Sequence, residues 1–252
     1  MKTEEKLIKQ WKKDEKAHFE GWDFSYIKNR IKQDKPSWDY IKIAKKLIKN
    51  KKSLLDIDTG GGEILLSISN LPKNSFAIEG YHPNVLIARK NLKKAGVKVI
   101  EADSAHKFPF KDNSFDIILN RHGTINAKEI YRVLKKKGLF ITQQVDPKVN
   151  FLDLIHEFKK KPKWTFNTLL YRRKEMKKIG FDIIKAKNWR GKIIFKDVGA
   201  IVYLLKATPW MVDNFSVRTH LIYLEKLQSK LKKKGKLRYS LGNFLIIARK
   251  RG

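Results

Sequence analysis

The 252-residue chain contains no cysteine. Disulfides, thiolate nucleophiles and cysteine-held metals are therefore outside its chemistry. Long apolar runs are missing as well. None reaches the ~18 residues that would span a bilayer. The opening MKTEEKLIKQWKKDEK is too polar for a secretory signal, so the expected location is cytoplasmic, with no stable membrane insertion. The 6 histidines lack organised spacing, and no metal is expected. Neither internal repeats nor low-complexity linkers occur.

Acidic residues are scarce, 25 against 57 Lys+Arg, which gives a formal net charge of +32. Arginine is the minor cation, with 11 residues against 46 lysines. The excess is uneven: residues 1–53 carry 16 basic and 8 acidic groups, 54–146 carry 14 and 10, and 147–252 carry 27 and 7. A basic protein of this kind attracts polyanions such as RNA, DNA or an anionic membrane surface. Fixed clamps on phosphates and bases favour arginine, however, and a coat of solvated lysines needs no partner.

What is present is enough apolar material, 42% of residues, for a sizeable core. The first 50 residues alternate charge with aromatic residues and read as helical. Trp38 to Ile48 forms a further helix, with Pro36 ahead of it as a helix starter. SLLDID (53–58), SFAIE (75–79), VKVIEAD (97–103), SFDIILN (114–120) and LFITQQV (139–145) read as strands. Helices fall between them, over 84–92 and over 127–138, the latter stopped by Gly138. Later segments predict a helix over 169–180 capped by Asn167, a strand over 181–187, a helix over 198–207 capped by Asp197, and another within 214–234. NFLIIARK (243–250) reads as a last strand, antiparallel and at an edge.

Strands alternating with helices predict an α/β, Rossmann-like, seven-stranded, mostly parallel sheet with helices on both faces and an antiparallel last strand. The expected organisation is an N-terminal helical lid over 1–50 and a domain over 51–252 with a helical insert at 188–240.

The strongest motif is LLDIDTGGGE (54–63), a strand that breaks into a glycine turn before an apolar-periodic stretch. Gly60 and Gly62 allow the backbone to turn sharply and approach a ligand. No Lys-Ser/Thr follows, which excludes a phosphate-cradling ATPase loop. Glu79 closes the next strand, where a carboxylate can accept both hydroxyls of an adenosine ribose. Asp103 ends the third strand.

With these residues the chain resembles the class I S-adenosylmethionine-dependent methyltransferases, of small single-domain bacterial type. LLDIDTGGGE, AIEGYHPN, EADSAHKFPFKDNSFDIIL and EIYRVLKKKGLFITQQV look like that family's successive signatures over about residues 50–146. The resemblance implies S-adenosyl-L-methionine as cofactor, S-adenosyl-L-homocysteine as product, and methyl transfer as the activity. Asp56 resembles the acid that orders the glycine loop and approaches the methionine amino group. Gly60 and Gly62 resemble the loop glycines and Glu79 the ribose acid. Tyr81 lies just behind it, and Asp103 and Ser104 resemble the adenine-facing turn. Asn120 falls where the methionine moiety comes close. Asp58 departs from the pattern, because a glycine is common at that position.

In-line displacement from a sulfonium asks chiefly for positioning, plus a base where the nucleophile holds a proton. Asn120, Arg121 and His122 follow the fourth strand as catalytic candidates, His122 as base or orienting group. Arg121 either holds an acidic or phosphate-bearing substrate or pairs with a nearby carboxylate. Gln143 ends the fifth strand. His18, Trp22 and Tyr26 in the N-terminal segment, with Tyr203 and Trp210 in the late insert, are substrate-binding candidates; an aromatic stripe also serves as plain core.

The acceptor divides between RNA and a small molecule. The basic last third favours RNA, and GAIVYLLKATPW (199–210) looks weakly like the late insert of ribosomal RNA guanine methyltransferases. The four-cysteine zinc module of those enzymes is missing, and no separate RNA-binding module is visible. A nucleic-acid-binding protein that keeps the fold without transfer is the remaining alternative. Oligomeric state is not legible.

Overall fold

The computed structural model describes residues 2–20 and 22–252. Met1 and Gly21, both inside the expected lid, lie outside the described residues. The chain divides into two compact units. The larger comprises Ser37–Asp146, Asn167–Trp189 and Asn243–Gly252; the smaller comprises residues 1–36, 147–166 and 190–242.

In chain order the elements are α1 (Lys2–Glu15), β1 (Ile31–Gln33), α2 (Tyr40–Ile48), β2 (Ser53–Ile57), α3 (Glu63–Ser67), β3 (Asn74–Glu79), α4 (His82–Leu92), β4 (Lys98–Glu101), β5 (Phe115–Arg121), α5 (Ala127–Val133), β6 (Leu134–Val145), α6 (Leu152–Glu157), α7 (Leu169–Ile179), β7 (Phe181–Phe195), α8 (Val198–Ala207), α9 (Leu221–Lys234) and β8 (Leu237–Lys250).

The sheet has eight strands, one more than expected, in the order β1-β7-β8-β6-β5-β2-β3-β4. From β4 to β6 all neighbours are parallel; β8 runs antiparallel to β6, from Leu139↔Arg249 to Val145↔Asn243. Parallel strands covered on both faces need continuous rather than alternating apolar sequence, and every residue of β2 is buried. Its side chains divide between two cores by strand alternation. Leu54, Ile117, Leu119, Ile141, Leu245 and Ile247 pack under Tyr40, Ala44 and Ile48 of α2 and under Leu92 of α4. Leu55, Ile57, Ile118, Phe140, Phe244 and Ile246 pack on the other face with Ile130 and Val133 of α5 and Met176 of α7. Each such aliphatic side chain contributes about 1.5–3 kcal/mol on burial.

The last strand corrects one expectation. β8 lies between β6 and β7 rather than at an edge, and its Phe244, Leu245, Ile246 and Ala248 are fully buried. A run that is apolar on both faces belongs inside a sheet.

Several element ends also differ. Asp39, not Pro36, starts α2, its carboxylate accepting the Lys42 N–H at 3.0 Å. Asn167 does not cap α7; the Thr168 hydroxyl does, and Asn167 accepts from Arg172 Nε at 2.7 Å. The expected helix over 127–138 stops at Val133, and Gly138 lies within β6. There the register jumps from Phe115↔Leu134 to Ile117↔Leu139, so the lysines of YRVLKKKG bulge out of the ladder. Lys137 has φ +61°, and Lys135 Nζ pairs with Asp116 at 3.0 Å.

In the smaller unit the N-terminal segment holds α1 and a 3-10 turn, Ser25–Arg30, and also the short strand β1, which the helical expectation missed. β1 pairs antiparallel with the end of β7, Ile31↔Phe195 to Gln33↔Ile193. Asp197 caps α8 as expected, accepting the Ala200 N–H at 2.8 Å. The helix foreseen within 214–234 starts at Leu221, because Ser216 and Thr219 hold a hydroxyl-bonded turn ahead of it.

Asp14 of α1 is wholly buried and accepts from Arg30 Nη1 at 2.8 Å and from the Tyr26 hydroxyl at 2.9 Å. The same guanidinium donates from Nε to Asp197 at 2.9 Å. Gly199 makes room for this group: a Cβ there would fall 1.9 Å from Asp14 Oδ2 and 2.6 Å from Arg30 Nη2.

Candidate active site

After β2 the chain builds β3 and β4 on one side, and β5 lies on the other. This reversal of strand order opens a crevice at the carboxyl ends of β2 and β5, where open α/β sheets take ligands. The turn leaving β2 has Asp58 at φ +55°, Gly60 at +62° and Gly62 at +86°. An added Cβ at Gly62 would strike Leu92 Cγ at 2.7 Å, so this glycine is a packing requirement as well as a turn residue. At Gly60 a Cβ would meet nothing within 4 Å, so that stretch of backbone faces open space.

Glu79 ties the turn down. Its Oε2 accepts the Gly60 N–H at 2.8 Å, and its Oε1 accepts the Tyr81 N–H at 2.9 Å. Burial raises its pKa, against the pull of those amides. Each oxygen keeps a further acceptor site, so the carboxylate that shapes the loop can also receive a diol.

Asp56 is buried and has no ion-pair partner among the described residues. Burial pushes its carboxyl up to about 7, with the Thr59 hydroxyl opposing and the Asp58 and Glu79 charges adding to the rise. A ligand ammonium would supply the missing countercharge.

Asp58 is committed to the protein. Its Oδ2 accepts from Ser104 Oγ at 2.9 Å and from the Thr124 N–H at 2.6 Å, bracing the loops that follow β4 and β5. The departure from the glycine pattern is thus a structural brace. Ser104 is spent on it. Asp103 stands two residues past β4, exposed, bonded to the Ala105 N–H at 2.8 Å and paired with His106 at 3.0 Å. The Tyr81 ring is exposed at the start of α4.

At the end of β5, Asn120 is wholly buried and fully engaged. Its Oδ1 accepts from Thr142 Oγ1 at 2.9 Å and Gln144 Nε2 at 2.6 Å, and its Nδ2 donates to Ile57 O and Thr124 O, both at 3.3 Å. His122 sits at φ +61°. Its Nε2 lies 3.3 Å from both Gln143 Nε2 and Asn243 Nδ2. Amide nitrogens only donate, so this ring nitrogen accepts and the proton resides on Nδ1. Burial, with the Arg121 charge adding, lowers the imidazole pKa to about 3. His122 therefore orients two amides and is a weak proton acceptor.

Arg121 and Gln143 are paired in register across β5 and β6. They share a face with Asp56, since each stands two residues beyond a member of one core: Asp56 after Leu54, Arg121 after Leu119, Gln143 after Ile141. Over that face lie Trp38, whose indole donates to Gln143 Oε1 at 2.8 Å, and buried Tyr40, whose hydroxyl donates to Asn120 O at 3.4 Å. Both residues escaped the sequence reading, which saw only an apolar stripe; a tryptophan and a tyrosine opening a helix were the available signal.

The remaining substrate-binding candidates, His18, Trp22, Tyr26, Tyr203 and Trp210, fall in the smaller unit and pack among themselves. Trp22 stacks on Trp210 with ring centres 5.8 Å apart, Tyr26 lies 4.8 Å from Tyr203, and the Tyr203 hydroxyl donates to His18 O at 3.2 Å. Among the described residues no cluster of His, Asp and Glu suits a metal, and no helix is long and apolar enough to cross a membrane.

The family of methyltransferase domains matches residues 55–142. In sequence, this stretch resembles the uncharacterised methyltransferase YcgJ of Bacillus subtilis, 29% identical over 97 residues, which is 35% of this chain and only 38% of that protein. The solved structure of YcgJ superposes with a TM-score of 0.57 at 19% identity, over 84% of this chain and 98% of YcgJ. A candidate methyltransferase of Bacillus halodurans C-125 superposes with a TM-score of 0.61 at 20% identity, covering 85% of this chain and 99% of its own. An S-adenosylmethionine-dependent methyltransferase from Thiobacillus denitrificans, solved with S-adenosyl-L-homocysteine, gives 0.50 at 13% identity over 84% and 91% of the two chains. The fold is that of the class I S-adenosylmethionine-dependent methyltransferases.

Proposed function

We propose that the larger unit binds S-adenosyl-L-methionine and transfers its methyl group to an acceptor held at the carboxyl ends of β5 and β6. The observation that carries this reading is the convergence of three elements on one crevice: the unpaired buried carboxyl of Asp56, the open glycine turn at Gly60, and Glu79 at the end of the neighbouring strand. A fold alone does not decide a reaction, whereas these groups match the ammonium and diol ends of one ligand.

In this reading Asp56 receives the methionine ammonium, Glu79 the ribose hydroxyls, and the exposed turn at Tyr81 and Asp103 borders the adenine. The bound cofactor supplies an electrophilic methyl on a sulfonium. Asn120 and His122 act as positioning groups, the first locking β5 to β6 through Thr142 and Gln144, the second holding the amides of Gln143 and Asn243. With His122 so weakly basic, the acceptor atom must be a nucleophile without a strong base from this residue.

Calorimetric titration with S-adenosyl-L-homocysteine tests the cofactor assignment; no heat of binding to the wild-type chain refutes it. Incubation with methyl-labelled S-adenosylmethionine and a cell lysate, then separation into RNA, protein and small molecules, assigns the acceptor class. Nuclease-sensitive label would give the basic segment 147–252 a partner, and label in small molecules alone would make its lysines a solvated coat.

A further inference from the structure

Resting on the methyl-transfer reading above, we propose that Arg121 is an anion anchor for the acceptor, and that the acceptor is a small molecule carrying a carboxylate. The guanidinium is half-buried, yet among the described residues it has no hydrogen bond and no carboxylate partner. The other partly buried arginines do not behave this way: Arg30 is held by Asp14 and Asp197, Arg132 by Glu129 and Asp112, Arg172 by Glu175. A chain that pairs its partly buried guanidiniums elsewhere leaves this one without such a partner at the carboxyl end of β5. An uncompensated cation out of water is costly, and an anionic ligand removes the cost.

Position separates Arg121 from the cofactor assignment. Asp56 already marks the ammonium end on β2, while Arg121 stands on β5 beside Gln143 of β6, next to Trp38 and Tyr40. A planar guanidinium matches a carboxylate through two parallel hydrogen bonds. The indole and phenol nearby suit a flat apolar body attached to that carboxylate. The chemistry admits a second source, the carboxylate of the cofactor's own amino acid, and the test separates the two.

The experiment titrates benzoate, benzamide and inorganic phosphate into the chain saturated with S-adenosyl-L-homocysteine, reading the indole signal of Trp38 by NMR with Trp38→Phe to assign it. Benzoate is expected to shift that signal saturably and benzamide not, and Arg121→Gln is expected to weaken benzoate at least tenfold while leaving S-adenosyl-L-homocysteine affinity within about twofold. Arg121→Lys, which keeps the charge and loses the fork, is expected to fall between and guards against a misfolded glutamine variant. Equal binding of benzoate and benzamide, benzoate binding that ignores Arg121→Gln, or a preference for phosphate overturns the proposal. So does a tenfold loss of S-adenosyl-L-homocysteine affinity in Arg121→Lys and Arg121→Gln alike, which would give the residue to the cofactor. Failure of S-adenosyl-L-homocysteine to bind the wild-type chain would instead defeat the reading on which the proposal rests.

Discussion

Asp56→Asn separates what the crevice does for binding from what it costs the fold. The carboxyl rises from an ordinary 3.8 to about 7 because burial disfavours its charged form. Since its folded pKa lies above its unfolded one, its neutral form is the tolerated one in the native state. Stability is therefore lost as pH climbs from the unfolded value to the folded one. The gap corresponds to at most about 4 kcal/mol once the group is ionised in both states. An asparagine of the same shape never incurs this charge. Urea denaturation without ligand is expected to find Asp56→Asn more stable than wild type, by roughly 2 kcal/mol at pH 5 and about 4 kcal/mol at pH 8. The same variant is expected to lose at least tenfold in S-adenosyl-L-homocysteine affinity at pH 8, because an amide cannot neutralise an ammonium. An advantage that does not grow between pH 5 and pH 8, or a variant less stable than wild type at pH 8, would refute the burial argument.

Wild-type affinity for S-adenosyl-L-homocysteine is expected to rise about tenfold per pH unit below pH 7 and to level off above it, as Asp56 ionises to meet the ligand; calorimetry across pH 5.5–8.5 reads this directly. Glu79→Gln, which keeps one acceptor oxygen and turns an NH2 toward the other amide, is expected to weaken the same ligand at least tenfold and to cost about 1–3 kcal/mol in urea, and Glu79→Ala should cost more because both partly buried amides, of Gly60 and Tyr81, lose their partner. Gly199→Ala forces a methyl into the Asp14–Arg30 pair and is expected to destabilise the chain by about 3–5 kcal/mol, seen as a lower urea midpoint.

The parallel strands were legible because their burial on both faces leaves continuous apolar runs bounded by glycine or acid, as in SLLDI before the glycine turn. The turn residues and Glu79 were legible for the same local reason: strand, positive-φ glycines and acid follow one another within a short stretch. What escaped depends on partners far away in sequence. β8 could not be placed between β6 and β7 from its own residues, since an edge and an interior strand differ only in what flanks them. His122 read as a base or an orienting group, because nothing nearby in sequence announces Asn243, the residue that helps hold its ring. Arg121 read equally well as paired or free, and only the absence of a facing carboxylate in the fold distinguishes the two. β1 was missed because three residues of mixed polarity carry no period.

The interior position of the last strand also orders events in time. β6 ends at Val145, and the strand that pairs with it begins its contact at Asn243, about a hundred residues later. During synthesis the crevice residues on β2, β3 and β5 emerge long before Phe244, Leu245 and Ile246 exist to seal both cores beside β6. Until then β6 presents an open edge of unpaired amides and carbonyls, the part of the nascent chain most in need of protection from other strands. A chain made only as far as β6 therefore lacks the side chains that close both cores beside it, and these arrive with the residues from Asn243 on.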